Sequence, residues 1–254
     1  MVRPKKHLGQ HFLTDLSVAA RTADLALDFP DLPWIEIGPG TGVLSRELLS
    51  RKVPFKAVEI DTESVHYLHI NHPEMDVLEG DFLQLDLSEL YSDAFGVIGN
   101  FPYNISSQIV FKILDHLDRV PVFAGMFQLE VARRLESGPN TKLYGITSVL
   151  TQAWYDVKVC FKIPPGAFNP PPKVQSAVIL ATRHHRPFNT DALLFRDVVK
   201  TAFQQRRKTL RNALSKFNPD GFPPEHAHLL KLRAENLTVE QFIELTEVIR
   251  ARKS

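Results

Sequence analysis

The sequence predicts an α/β protein: a doubly wound, mostly parallel sheet followed by a small C-terminal helical domain. Three observations carry that expectation. Short apolar runs alternate with longer amphipathic stretches from Trp34 to Gln128, a glycine-rich turn follows the first run, and the pattern becomes purely helical from Asn189 onward. The 254 residues are enough for a main core of about 150–180 residues and a satellite. A boundary near His184-His185-Arg186-Pro187 gives domains 1–185 and 186–254.

Taken in order, Trp34–Ile37 reads as a buried strand, Gly42–Arg51 as a helix, Phe55–Ile60 as the second strand, and Asp61–Asn71 as a helix capped by Asp61. Met75–Leu78, Phe95–Ile98 and Val122–Met126 supply further strands, with a helix over Ser106–Leu117 between the last two. After a helical stretch at Leu143–Gln152, the runs Trp154–Ile163 and Val174–Thr182 are rich in β-branched and aromatic residues. Pro164–Lys173 joins them as a stiff loop, because its prolines fit neither a helix nor a central strand. The last helices are predicted at Thr190–Phe203, Arg206–Phe217 and Thr238–Arg252.

Composition narrows the function classes. Cys160 is the single cysteine, which excludes an intrachain disulfide and a multi-cysteine metal site. His66, His69 and His72 fan around a helix surface at their spacing, so no metal is expected. The apolar runs are strand-sized, far short of the ~20 residues of a membrane span, and no signal peptide is evident, which points to the cytoplasm. The net charge of +1 hides an asymmetry: residues 1–180 carry a net −5 and residues 181–254 a net +6. Arg206, Arg207, Lys208 and Arg211 form its densest part, suited to a phosphate backbone or, alternatively, to a solvated helix face.

Gly38-Pro39-Gly40-Thr41-Gly42 stands at the carboxyl end of the first strand, where glycine lets backbone approach a ligand, although such a turn can also be only a tight connection. Glu59, ending the second strand, can accept from two ribose hydroxyls. Asp81, after the third, can accept from an adenine amino group, with Phe82 flanking the ring. A dinucleotide is the competing ligand, disfavoured by Pro39 and by the absence of the third glycine of G-x-G-x-x-G.

The fourth strand ends in Asn100-Phe101-Pro102-Tyr103. An adenine amino nitrogen is a poor nucleophile because its lone pair is delocalised into the ring. Two acceptors aimed at its hydrogens, the side-chain oxygen of Asn100 and the carbonyl of Phe101, favour the tetrahedral form, and Pro102 keeps Phe101 extended. Tyr103 can stack on the base, and Phe168 is a candidate for its other face or for the core. An Asx-turn with a buried Tyr103 is the structural alternative.

Glu36 to Gly42 resembles the glycine loop of class I S-adenosylmethionine methyltransferases. The chain as a whole is similar to the bacterial small-subunit ribosomal RNA adenine dimethyltransferase family, through Lys6–Leu13, Glu36–Gly42, Asn100–Ser106, Phe168–Val174 and Phe203–Asn212. The resemblance implies S-adenosylmethionine as cofactor, held by His11, Leu13, Gly38, Glu59, Asp81 and Asn100, with Glu36 supporting the loop. It also implies dimethylation of two adjacent adenines in the 3′-terminal hairpin loop of 16S rRNA, within a pre-30S particle, by a monomer. Two positions depart from the family: His11 stands where Asn is common, and Phe101 where Leu is common.

Overall fold

The structure, a computed structural model, describes residues 2–252. Its strands are β1 (Phe12–Leu13), β2 (Trp34–Ile37), β3 (Phe55–Glu59), β4 (Val77–Glu79), β5 (Gly96–Asn100), β6 (Val122–Gln128), β7 (Tyr155–Ile163), β8 (Phe168–Asn169) and β9 (Ser176–Arg183). Its α-helices are α1 (Leu16–Asp24), α2 (Val43–Ser50), α3 (Thr62–Asn71), α4 (Ser106–Asp115), α5 (Leu129–Glu136), α6 (Ile146–Gln152), α7 (Ala192–Gln204), α8 (Leu210–Ala213) and α9 (Val239–Ala251). Among the described residues no helix is long and apolar enough to cross a membrane.

Seven strands form one sheet in the order β4-β3-β2-β5-β6-β9-β7. β2 to β6 pair in parallel, and β9 runs antiparallel to β6. From β2 the chain moves outward to β3 and β4, then returns to the other side of β2 as β5. The strand order therefore reverses between β2 and β5, where the ends of both strands leave a crevice beside Ile37 and its partner Gly99. Strands covered on both faces are buried along their length, and all four residues of β2 are buried, three of them apolar and the fourth the acid Glu36. Trp34 is accommodated because Gly96 lies opposite: a Cβ there would sit 2.5 Å from the indole.

Two compact units result, one from the chain up to Ala132 with Val157–Arg183, the other from Arg133–Asp156 with the chain from His184 onward. In the first, α1 is an element that the sequence reading had not assigned. Asp15 caps it by accepting from the backbone N–H of Ser17 and Val18, and Val18, Ala19, Thr22 and Ala23 form its buried face. In the second, Tyr144 packs edge-on against Phe203, and Trp154 against Phe188 and Phe195. These aromatics make Arg133–Asp156 part of the same core as the C-terminal helices. The continuous helix expected over Arg206–Phe217 is broken. Thr209 is extended and bridges to Arg233, and Leu210 N–H donates to the Leu232 carbonyl at 2.7 Å, leaving only α8 and a short 3-10 turn at Ser215–Phe217.

Candidate active site

The turn after β2 needs its glycines. Gly38, Gly40 and Gly42 have φ of 66°, 58° and 78°, a region that favours glycine. A Cβ at Gly40 would lie 2.8 Å from the Phe12 ring, whereas one at Gly38 would meet nothing within 4 Å. Gly40 is thus closed by packing, and Gly38 faces open space. The turn is held by Glu59, whose carboxylate accepts from Gly40 N–H at 3.0 Å and from Asp61 N–H at 2.9 Å. Burial raises the pKa of Glu59, against the lowering effect of these bonds.

The Asn100–Tyr103 segment is anchored by its second residue. The Phe101 ring is fully buried over two glycines of neighbouring strands, Gly99 of β5 and Gly125 of β6, and meets Phe127 edge-on at 4.9 Å. Burying such a ring contributes about 1.5–3 kcal/mol and pins the backbone on either side. Asn100 Nδ2 donates to the His11 carbonyl at 2.8 Å, which turns Oδ1 away from that contact. Tyr103 stacks with the His11 ring at 5.5 Å, and its hydroxyl bonds to that of Ser176. Burial raises the Tyr103 pKa, so the phenol stays neutral at physiological pH.

A cavity lies between these elements, walled by Gly9–Phe12, Gly38, Glu59, Asp81, Phe82 and Asn100–Tyr103. It therefore unites His11, Gly38, Glu59, Asp81, Asn100, Phe101, Pro102 and Tyr103 of the sequence-derived set. Leu13 lines a smaller adjoining cavity with Glu36, Gly38 and Asn100. Glu36 is 1% exposed and, among the described residues, its Oε2 has no hydrogen-bond partner. Burial pushes this carboxyl up to about 8; Ser45 opposes the rise and the charge of Glu59 adds to it.

Phe168 is placed elsewhere. β8 pairs with β1 so that Phe168 stands opposite Leu13, and its 3% exposed ring packs with Leu13, Val18 and Met126. It is a core residue here, and the base-stacking role does not fit this position. Of the basic set in the second unit, Arg207, Lys208 and Arg211 are exposed, whereas Arg206 is tied down. Its guanidinium donates to Glu235 at 2.7 Å and to the Lys142 carbonyl at 2.8 Å.

Sequence reasoning missed the fastening of the N-terminal segment. Asp61 caps α3, as expected, but its side chain also receives Lys5 Nζ and Gln10 Nε2, holding Lys5–His11 against the cavity. Its other partners, Ser64 Oγ and Glu63 N–H, complete a site in which the hydrogen bonds outweigh burial and lower the carboxyl pKa. An Asp at a helix start carries only the cap signal, so nothing in the sequence marked this second role.

The sequence model of the family described as ribosomal RNA adenine dimethylase matches residues 1–251. A protein named ribosomal RNA small subunit methyltransferase A, from Parabacteroides distasonis, is 51% identical over 249 residues, covering 97% of this chain and 94% of its own. One of the same name from Flavobacterium johnsoniae is 49% identical over 255 residues, covering 98% and 97%. Among solved structures, the 23S rRNA methyltransferase ErmE is similar with a TM-score of 0.73 at 26% identity, covering 94% of this chain and 99% of its own. A dimethyladenosine transferase from Plasmodium falciparum shares the fold, with a TM-score of 0.79 at 23% identity over 96% and 98% of the two chains. With its seven-stranded class I methyltransferase sheet and a match along nearly its whole length, the chain belongs to the ribosomal RNA adenine dimethylase family.

Proposed function

We propose that this enzyme transfers methyl groups from S-adenosylmethionine to the N6 amino groups of two adjacent adenines in the 3′-terminal hairpin loop of 16S rRNA, acting as a monomer on a pre-30S particle in the cytoplasm. The names of the relatives at about 50% identity support the small subunit as the substrate. The residues present fit the cofactor on two observations: the open space above Gly38, and the unpartnered, buried oxygen of Glu36 beside it. When bound, S-adenosylmethionine supplies an electrophilic methyl group. Glu59 would accept from the ribose hydroxyls, since each of its oxygens keeps a lone pair beyond the backbone N–H it already takes. Asp81 would accept from the adenine amino group, while Gly38, His11 and Leu13 border the methionine end.

The observation that carries the reading is the Asn100 amide. Because Nδ2 is committed to the His11 carbonyl, Oδ1 is the atom left to accept from an adenine amino group. The Phe101 carbonyl is the second acceptor, held by the buried ring and kept extended by Pro102. Two acceptors draw the amino hydrogens out of the base plane and return lone-pair density to nitrogen; the developing positive charge then meets oxygen dipoles already in place. No strong base is required, since the cationic product amine is acidic enough to lose its proton to water. Tyr103 supports the flipped base by stacking. The 186–254 domain supplies the backbone contacts through Arg207, Lys208 and Arg211, with Arg206 bracing them. Incubation with labelled S-adenosylmethionine and unmethylated small subunits, large subunits or duplex DNA, followed by mapping of the labelled base, tests the proposal. Label on the large subunit or on DNA would refute it.

A further inference from the structure

A second cavity opens beside the first, sharing Gly9, Gln10, His11 and Tyr103 as a common wall. Its far side is the Pro170–Val174 loop, with Gln128 at its floor and Lys6 and Lys173 among its lining residues. The stacked rings of His11 and Tyr103 divide the two spaces, and His11 Nδ1 is bonded to the Pro170 carbonyl at 2.7 Å, tying the loop to that partition. Both lysines are exposed, and neither forms an ion pair among the described residues; Lys5, by contrast, is consumed by Asp61 and Glu63. Among those residues the Gln128 side-chain amide likewise makes no hydrogen bond. The arrangement is a wall of proline rings and the half-exposed Val174, one uncommitted amide, and two uncommitted cations, all next to the reacting position.

An adenine delivered to Asn100 remains part of a strand, so the next nucleotide must find room close by, and the second cavity shares Tyr103 with the first. We propose, building on the rRNA methylation reading, that this second cavity receives the nucleotide adjoining the target adenine. Its base lies against the Pro170–Pro172 wall, the Gln128 amide bonds to its edge, and Lys6 and Lys173 take the phosphates on either side. Only Gln128 makes directional contacts, so the subsite recognises a nucleotide by stacking and charge more than by base identity. The subsite would hold one adenine of an adjacent pair while the other reacts.

The test compares wild type, Lys6→Ala/Lys173→Ala, Gln128→Ala and Gln128→Glu. Each is titrated with naked small-subunit rRNA and with unmethylated small subunits over 50–200 mM salt, with cofactor binding and methyl transfer measured in parallel. The lysine pair variant is expected to bind RNA about tenfold more weakly and to lose about 1.4 from the slope of log K against log salt, the share of two single-strand phosphates. Cofactor affinity should be unchanged. Gln128→Glu should raise the KM for the subunit more than Gln128→Ala does, because a carboxylate repels the flanking phosphates in addition to losing the amide's donor, whereas alanine only loses the bond to the base edge. An unchanged slope with naked rRNA overturns the proposal; if subunit binding still falls, the cavity holds a ribosomal protein instead. Equal effects of Glu and Ala at position 128 also overturn it. If wild type methylates no small-subunit RNA, the underlying reading fails and the subsite with it, an outcome distinct from normal methylation by every variant.

Discussion

Replacing the buried acid under the glycine turn, Glu36→Gln, should stabilise the cofactor-free protein, and increasingly so as pH rises. In the unfolded chain this carboxyl ionises at its ordinary value of 4.5, whereas in the fold burial holds the proton to about 8. Stability linked to that proton is complete below the unfolded value and is lost as pH rises through the folded one. At about 1.4 kcal/mol per pH unit, the loss between pH 5 and pH 7 is about 2–3 kcal/mol, with about 1 kcal/mol more by pH 9. Glutamine has nearly the same shape and no charge to desolvate. The difference between variant and wild type therefore isolates this group together with its coupling to Glu59, and the titrations elsewhere cancel. Urea unfolding at pH 5, 7 and 9 without cofactor measures it. A stability difference that stays constant across that range would refute the burial argument. With saturating cofactor the gap should narrow if a cationic group of the ligand meets the unpartnered Oε2.

Asn100→Ala should leave cofactor affinity within about an order of magnitude and lower methyl transfer by at least about 100-fold, the scale of a lost oriented polar group; near-normal single-turnover rates would exclude the acceptor role. Arg206→Ala should cost about 0.5–1 kcal/mol in a denaturation experiment, because it removes a partly exposed ion pair with Glu235 and a bond to the Lys142 carbonyl. Arg207→Ala/Lys208→Ala should leave the melting temperature alone and flatten the salt dependence of RNA binding; the opposite division between the two variants would reassign the basic segment. Phe168→Ala should destabilise the protein by about 3–5 kcal/mol through the cavity left beside Leu13 and Met126. A stable variant with a large defect confined to transfer would return Phe168 to the substrate.

Much of the fold is legible in the sequence because burial imposes period and composition directly. β2 matches its expected span at Trp34–Ile37 because a strand covered on both faces is buried at every position and reads as a mainly apolar run, here interrupted only by Glu36. The glycine turn, Glu59, Asp81 and Asn100–Tyr103 could be named in advance because strand ends in a doubly wound sheet converge on one crevice. What decided the rest was contact between segments distant in sequence. Whether Phe168 faces base or core depends on its pairing with Leu13, 155 residues earlier, and an aromatic in a proline-rich loop carries no local sign of that pairing. Arg206–Phe217 has a helical pattern, yet Thr209 is drawn out of it by an isolated bridge to Arg233, and only that distant segment can reveal it. The most consequential case is Asn100. Its residue type announces an amide, but which end of that amide faces the substrate is set by the His11 carbonyl, and His11 is held in place by a clasp on Asp61. Residue chemistry is local and can be read from the chain; the direction in which a polar group points is fixed by its neighbours, and those exist only once the chain has folded.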